Sequence, residues 1–193
     1  MIRPAAREDV PAMLALYGPY VSQTTVSFEY DIPTEEEFSE RFLNITQQYP
    51  WLVWEEEGRI SGYAYASSPY TRAGFAWCAE PSIYLVEYAK GTGIGKKLYE
   101  ALEKILFYQG YQVLYALITA ENLPSVRFHE KMGYLRRAVY PRCGFKFDRW
   151  LDLIWMEKTL NFVETPSNFP VPWSAIIQNA EIPFHILDTI PLS

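Results

Sequence analysis

Cysteine and histidine are scarce: each occurs twice in 193 residues. Cys78 and Cys143 lie far apart and make no metal-type pair. With His129 and His185 as the remaining soft ligands, no metal site is expected. A chain of this length needs no disulfide scaffold, so a reducing cytoplasm is the expected setting. The N-terminal Met1-Ile2-Arg3-Pro4 has no apolar signal segment. No run approaches ~18 consecutive apolar residues, so no membrane span is expected. A basic excess is missing too. Lys and Arg number 17 against 23 Asp and Glu, a net charge of −6. Without a clustered basic run, general nucleic-acid binding is disfavoured, while one local basic pocket for a phosphorylated ligand remains open.

What is present is apolar and aromatic. Hydrophobic residues make up 49% and aromatics 17%, enough for one full domain with an appendage. The aromatics fit an aromatic-lined pocket, a self-association surface, or simple core and surface filling. Asp9, then Val10-Pro11, then Met13, Leu14, Leu16 and Tyr17 predict an N-capped helix ending near Gly18-Pro19. Thr34 and Glu37 form a capping box before the stripe Phe38, Phe42, Ile45. Trp51 to Trp54 and Ile60 to Tyr65 predict a hairpin, and a strand follows over about Trp77 to Val86. Ile94, Leu98, Leu102 and Ile105 share a helix face that Gly110 stops. Val113 to Ile118 reads as a strand buried on both faces. A helix from Asn122-Pro124 to Gly133 and strands at Tyr134 to Tyr140 and Trp150 to Met156 complete the pattern.

The predicted order is β-α-α-β-β-β-α-β-α-β-β, an α/β chain with a mixed sheet and helices on both faces. Residues 1–160 carry this pattern. Residues 161–193 are punctuated by Pro166, Pro170, Pro172, Pro183 and Pro191 but retain Trp173, Ile176, Ile177, Phe184 and Ile186. That is too apolar for a free tail. It should pack on its own domain or on a second subunit.

The most informative stretch runs from Ile83 to Leu106. The strand Ile83-Tyr84-Leu85-Val86 enters Lys90-Gly91-Thr92-Gly93-Ile94-Gly95-Lys96, and a helix begins at once. Glycines let backbone approach an anion, and a helix N-terminus supplies free N–H groups and a favourable dipole. The spacing matches neither the Walker loop nor the Rossmann turn. A basic residue, two spacers, Gly, one spacer and Gly instead resemble the pyrophosphate loop of GNAT-type N-acetyltransferases, which bind acetyl-CoA. Further segments narrow the likeness: Thr25-Val26-Ser27-Phe28-Glu29, Ile60 to Ala66, Glu80-Pro81-Ser82-Ile83-Tyr84, Asn122 to Tyr134, and Gly144-Phe145-Lys146 with Arg149-Trp150-Leu151-Asp152. Over about residues 1–160 the chain resembles the phosphinothricin and L-amino-acid (methionine sulfoximine) N-acetyltransferases.

The resemblance implies the acetyltransferase (GNAT) fold, acetyl-CoA as co-substrate, and direct transfer to the amine of a small amino acid or analogue without an acyl-enzyme. It implies cofactor contacts at Ile83, Tyr84, Leu85, Lys90, Gly91, Thr92, Gly93, Ile94, Gly95, Lys96 and Asn122. Such transfer needs a base for the ammonium, alignment, an oxyanion donor and a proton for the thiolate. Glu80 is the implied base, a backbone N–H near Leu85 the implied oxyanion donor, and His129 a proton relay suited by its ordinary pKa. Whether Glu80 or His129 is the dominant base stays open. Arg72 and Lys146 are the expected anion contacts for substrate, with Phe28 and Glu29 as a pocket wall and Glu29 near the ammonium. Two departures stand out: Ala76 replaces a usual arginine, and Phe147-Asp148 replace His-Gly. They imply a preference for neutral or apolar side chains, methionine sulfone-like or aromatic, over phosphinothricin. The apolar tail and the aromatics suggest a homodimer bordering the active sites. The rival readings are a non-catalytic acyl-CoA sensor and an acetyltransferase for protein N-termini or polyamines.

Overall fold

The computed structural model describes residues 1–178. The elements are β1 (Ile2–Pro4), α1 (Val10–Gln23), α2 (Glu35–Gln48), β2 (Trp51–Glu56), β3 (Arg59–Ser67), β4 (Cys78–Leu85), α3 (Ile94–Gln109), β5 (Val113–Thr119), α4 (Leu123–Lys131), β6 (Leu135–Lys146), β7 (Arg149–Thr159) and α5 (Trp173–Gln178). The predicted element order is observed, with α5 added. The strands form one seven-stranded sheet, β1-β2-β3-β4-β5-β7-β6. Every neighbouring pair is antiparallel except β4 and β5. That parallel pair holds register only at Cys78–Val113 and Ala79–Leu114. Beyond Ala79 the two strands part, and the sheet opens.

Helices cover both faces. On one, α3 and α4 pack Leu98, Leu102, Ile105 and Val126 over Ala64, Leu114, Ala116, Ile154 and Met156. On the other, α1 and α2 press Met13, Tyr17, Val21, Phe38 and Phe42 against Trp51, Val53 and Tyr63. This second core is where the aromatic excess goes. Trp51 stacks on Tyr65 at 4.1 Å and meets Phe38 and Phe42 edge-on. Edge-to-face and offset pairs add to area burial.

Three local readings are corrected. The first helix does not end at Gly18-Pro19 but runs to Gln23 with Pro19 inside it. Buried Tyr17 and Val21 on the same face offset the lost N–H, because their burial contributes about 1.5–3 kcal/mol each. Asp9 does stand at the N-cap position, but its carboxylate makes no cap bond to α1. It binds the Arg3 guanidinium at 2.6 Å and the Ala6 N–H instead. The strand expected at Tyr134 to Tyr140 continues to Lys146 as the sheet edge, where Pro141 needs no ladder N–H. By contrast the Thr34–Glu37 capping box forms as predicted.

Residues 161–178 lie along their own domain. Trp173 and Ile176 are buried in the α3-side core. Gln109 Nε2 donates to the carbonyls of Gln48 and Val171, and Trp77 Nε1 donates to the Asn168 carbonyl. Ile177 is exposed. Phe184, His185 and Ile186 lie outside the described residues.

Candidate functional site

Two hollows meet where β4 leaves β5. The larger is a cleft of about 610 Å³ lined by Tyr20, Leu85, Lys90, Gly91, Gly93, Gly95 and Lys96 on one side and Phe128 and Lys131 on the other. The smaller is a cavity of about 70 Å³ containing Glu80, Ser82, Tyr84, Thr119 and His129. Val26, Ile83, Asn122 and Ser125 line both, so they mark the junction.

The cleft is built from backbone. Gly91 and Gly93 have φ of +77° and +92°, a region L side chains rarely adopt, and a Cβ at either would meet no atom within 4 Å. Both glycines are there for conformation and open access. Gly93 is the N-cap of α3 and no side chain caps that helix. Its first N–H groups are therefore left to a ligand anion. Gly95 serves packing: its Cβ would lie 3.1 Å from the Leu85 side chain. Of the other predicted contacts, Thr92 turns back to the Ala89 carbonyl at 2.7 Å, and Ile94 is buried. Lys96 pairs loosely with Glu100 at 3.6 Å, and Lys90 holds Glu87 at 2.6 Å.

The strand edge adds hydrogen-bonding groups. Every second residue of an antiparallel strand turns its N–H and C=O to the partner. The Val86 N–H donates to Ser61, and Tyr84 faces Tyr63 in continuous register. Tyr84 and Ser82 therefore bond to β3, while Ile83 and Leu85 turn their backbone groups toward the opening. The oxyanion donor was expected near Leu85, and the N–H of Leu85 itself is occupied. Its N–H donates to the Tyr20 hydroxyl at 3.3 Å, and that hydroxyl donates to the Leu85 carbonyl at 2.6 Å. Ile83, which lines both hollows, turns its N–H toward the opening.

Glu80 sits at the mouth of the parting strands, opposite Ser67 in the ladder. Its carboxylate makes no ion pair or hydrogen bond among the described residues, and burial alone raises its pKa. An uncompensated, desolvated carboxylate is the form a general base takes when its pKa is moved toward neutrality.

His129 shares the cavity, and its burial works against the charge change near neutrality expected from the sequence. The ring is 4% exposed, and burial lowers its pKa to about 4. Nδ1 lies 2.8 Å from the Ser125 carbonyl, which can only accept, so Nδ1 carries the proton. Nε2 then accepts from the Tyr99 hydroxyl at 2.8 Å. Both nitrogens are occupied, and the ring holds α4 against α3.

The predicted substrate residues are scattered. Lys146 is corrected: it is 2% exposed and its Nζ donates to the carbonyls of Val21 and Ser27 at 2.7 and 2.6 Å. Burial lowers its pKa. It fastens the last turn of α1 to the segment that follows rather than standing free for a substrate anion. Phe28 lies across Gly144, where a Cβ would fall 2.0 Å from its ring. Glu29 pairs with Arg41 at 2.6 Å and keeps Oε2 buried without a partner. The Tyr30 hydroxyl donates to the Phe145 carbonyl, and Thr119 Oγ1 donates to the Thr25 carbonyl. Residues 25–30 are thus tied across the opening as a roof, with Val26 over the junction. Arg72 stays exposed in the loop between β3 and β4, without an ion pair among the described residues. Phe147 and Asp148, at φ of +51° and +58°, form the β6–β7 turn and line neither hollow.

Tyr20, Val26, Tyr99 and Ser125 are additions. Tyr20 was hidden by the premature helix end at Pro19. Ser125 and Val26 lie inside motifs already noted, so proximity to Asn122 and Phe28 was the available signal. Nothing in the sequence announces the Tyr99–His129 bond.

The model of the acetyltransferase (GNAT) domain matches residues 2–155. A phosphinothricin N-acetyltransferase of Streptomyces viridochromogenes is 32% identical over 165 residues, covering 86% of this chain and 90% of that protein. An L-methionine sulfoximine/L-methionine sulfone acetyltransferase of Salmonella typhimurium is 32% identical over 161 residues, covering 83% and 94%. The crystal structure of a phosphinothricin acetyltransferase from Sinorhizobium meliloti in complex with acetyl-CoA superposes with a TM-score of 0.81 at 32% identity, covering 89% of this chain and 92% of that one.

Proposed function

The chain belongs to the acetyltransferase (GNAT) family, and from that premise we propose that Glu80 serves it as the base for acetylating the amine of a small amino acid or analogue. It is an N-acetyltransferase with acetyl-CoA as co-substrate. Bound acetyl-CoA supplies an activated acetyl thioester. The residues fit such a group: uncapped N–H groups at α3, two glycines in the positive-φ region, Lys90 and Lys96, and a strand edge that matches amide chains.

The chain's own groups divide the work. The start of α3, with Lys90 and Lys96, holds phosphate. Asn122 caps α4 through the Ser125 N–H and stands at the junction. The Ile83 N–H is the donor open to an oxygen that gains charge. Glu80 takes a proton from the incoming ammonium, and the roof over residues 25–30 excludes water. The observation that carries this reading is a desolvated carboxylate, unpaired among the described residues, in a cavity joined to a cleft lined by glycines and lysines.

The substrate proposed is an amino acid with a neutral side chain, of the methionine sulfone kind. Arg72, exposed and without an ion pair among the described residues, is the cation proposed for its carboxylate, and the nearby Ala76 offers no charge. A homodimer is also proposed. The edge strand β6 and the start of β7 expose Leu135, Val139, Tyr140, Phe145 and Trp150, and an apolar strand edge favours a second copy. Trp173 and Ile176 no longer argue for it, being buried in their own chain. Both cysteines are free, which suits the cytoplasm proposed for the enzyme. No described helix is long and apolar enough to cross a membrane.

The test is a panel of amines with thiol release as the readout. Amino acids should turn over faster than their decarboxylated amines, and methionine sulfone faster than phosphinothricin. Faster turnover of the decarboxylated amines would reject the carboxylate contact. Light scattering of wild type and Val139→Lys checks the dimer: an equal monomer mass in both rejects it.

A further inference from the structure

Tyr20 touches two of the stations that the acyl-CoA reading requires. Its hydroxyl bonds both the carbonyl and the N–H of Leu85, at 2.6 and 3.3 Å. Its ring lies under the Lys90 ammonium, 5.1 Å from the centroid. Tyr84 braces the ring edge-on at 5.2 Å. Leu85, Lys90 and Tyr20 line the same cleft.

Leu85 is the residue whose N–H and C=O face the cleft just before the glycine turn. An extended amide chain lying along that edge bonds the two groups as an added strand would. The phenol already takes the one N–H that Leu85 has to give and occupies its carbonyl, so chain and phenol compete for the N–H. Lys90 is likewise held by the Tyr20 ring and by Glu87.

We infer that Tyr20 tunes acyl-CoA affinity, by standing in at the Leu85 station until the amide chain of the ligand displaces it. This rests on the acetyl-CoA reading above. The phenol keeps the open strand edge satisfied, and its withdrawal releases Lys90 toward phosphate in the same movement. Removing only the hydroxyl removes the competitor while the ring and its packing stay.

Calorimetry with acetyl-CoA on wild type and Tyr20→Phe is the first measurement. Tyr20→Phe should bind about 5-fold more tightly, the equivalent of one net hydrogen bond no longer broken on binding. Hydrogen exchange at the Leu85 amide is the second. It should be slow in free wild type, faster in free Tyr20→Phe, and equally slow in both once acetyl-CoA is bound. Unchanged or weaker affinity in Tyr20→Phe overturns the inference, and so does Leu85 exchange that ignores the substitution. If neither protein binds acetyl-CoA, the co-substrate reading fails and takes this inference with it. Binding by both without a gain removes the inference alone.

Discussion

The cleft and the cavity lie on either side of the same parting of β4 from β5, yet they are built by opposite means. The cleft presents backbone: positive-φ glycines, an uncapped helix start and exposed lysines that water can screen. The cavity presents side chains held away from water, among them a carboxylate with its pKa raised and an imidazole with its pKa lowered to about 4. Binding a charged phosphate chain needs many weak, accessible donors. Moving one proton needs a single group in a dry place. The two kinds of site respond to mutation differently.

The largest effect is expected at Glu80. Glu80→Gln should slow acetylation by about 10²-fold, the usual share of a general base, and leave acetyl-CoA affinity intact. The same change should raise the unfolding temperature. Burial penalises the charged carboxylate, so its folded pKa lies above the unfolded one. The folded state is therefore relatively favoured at low pH and loses ground as pH rises through the folded value. Gln removes that loss. Slower turnover together with lower stability would mean that Glu80 is a structural carboxylate.

Gly93→Val should act on the other region. A Cβ there meets no atom within 4 Å, but the valine must adopt a φ of +92°. The strain of about 1–2 kcal/mol corresponds to roughly 10-fold weaker acetyl-CoA binding by calorimetry, before any crowding of the phosphate. The maximal rate at saturating acetyl-CoA should fall little. A full loss of rate with unchanged affinity would erase the distinction between cleft and cavity.

The smallest kinetic effect is expected at His129. Because both nitrogens are bonded, His129→Phe should change turnover by less than about 3-fold and leave the pH–rate profile in place between about pH 6 and 8. Stability should change instead. The unfolded imidazole binds a proton at 6.5, whereas the folded one waits until about 4. Its contribution is complete above pH 6.5 and is lost as pH falls to about 4, amounting to about 3 kcal/mol at 1.36 kcal/mol per unit. Denaturation curves across that range should be flatter in His129→Phe. A shifted acid limb of the rate profile would restore His129 to the proton path.

Legibility followed the same divide. The glycine turn, the capping box of Thr34 and Glu37 and the stripe of α3 depend on residues close in sequence, and each stands where it was expected. Pro19 misled because its local cost is real, while the opposing burial of Tyr17 and Val21 against strands far along the chain leaves no local trace. Lys146 misled in the same way. A lysine beside Gly144 looks like a free cation until the carbonyls of Val21 and Ser27 are brought to it.

The sequence alone determined the order of elements and the glycine turn before α3, because helix periodicity and glycine conformation act over a few residues. Glu80 as the base to consider came from the family resemblance. Tertiary structure decided which charges are usable. It desolvated Glu80 and His129, bonded the imidazole to Ser125 and Tyr99, committed Lys146 to the roof and set Tyr20 on the Leu85 edge. Burial and hydrogen-bond partners are properties of neighbours in space, and those neighbours come from segments up to 125 residues apart.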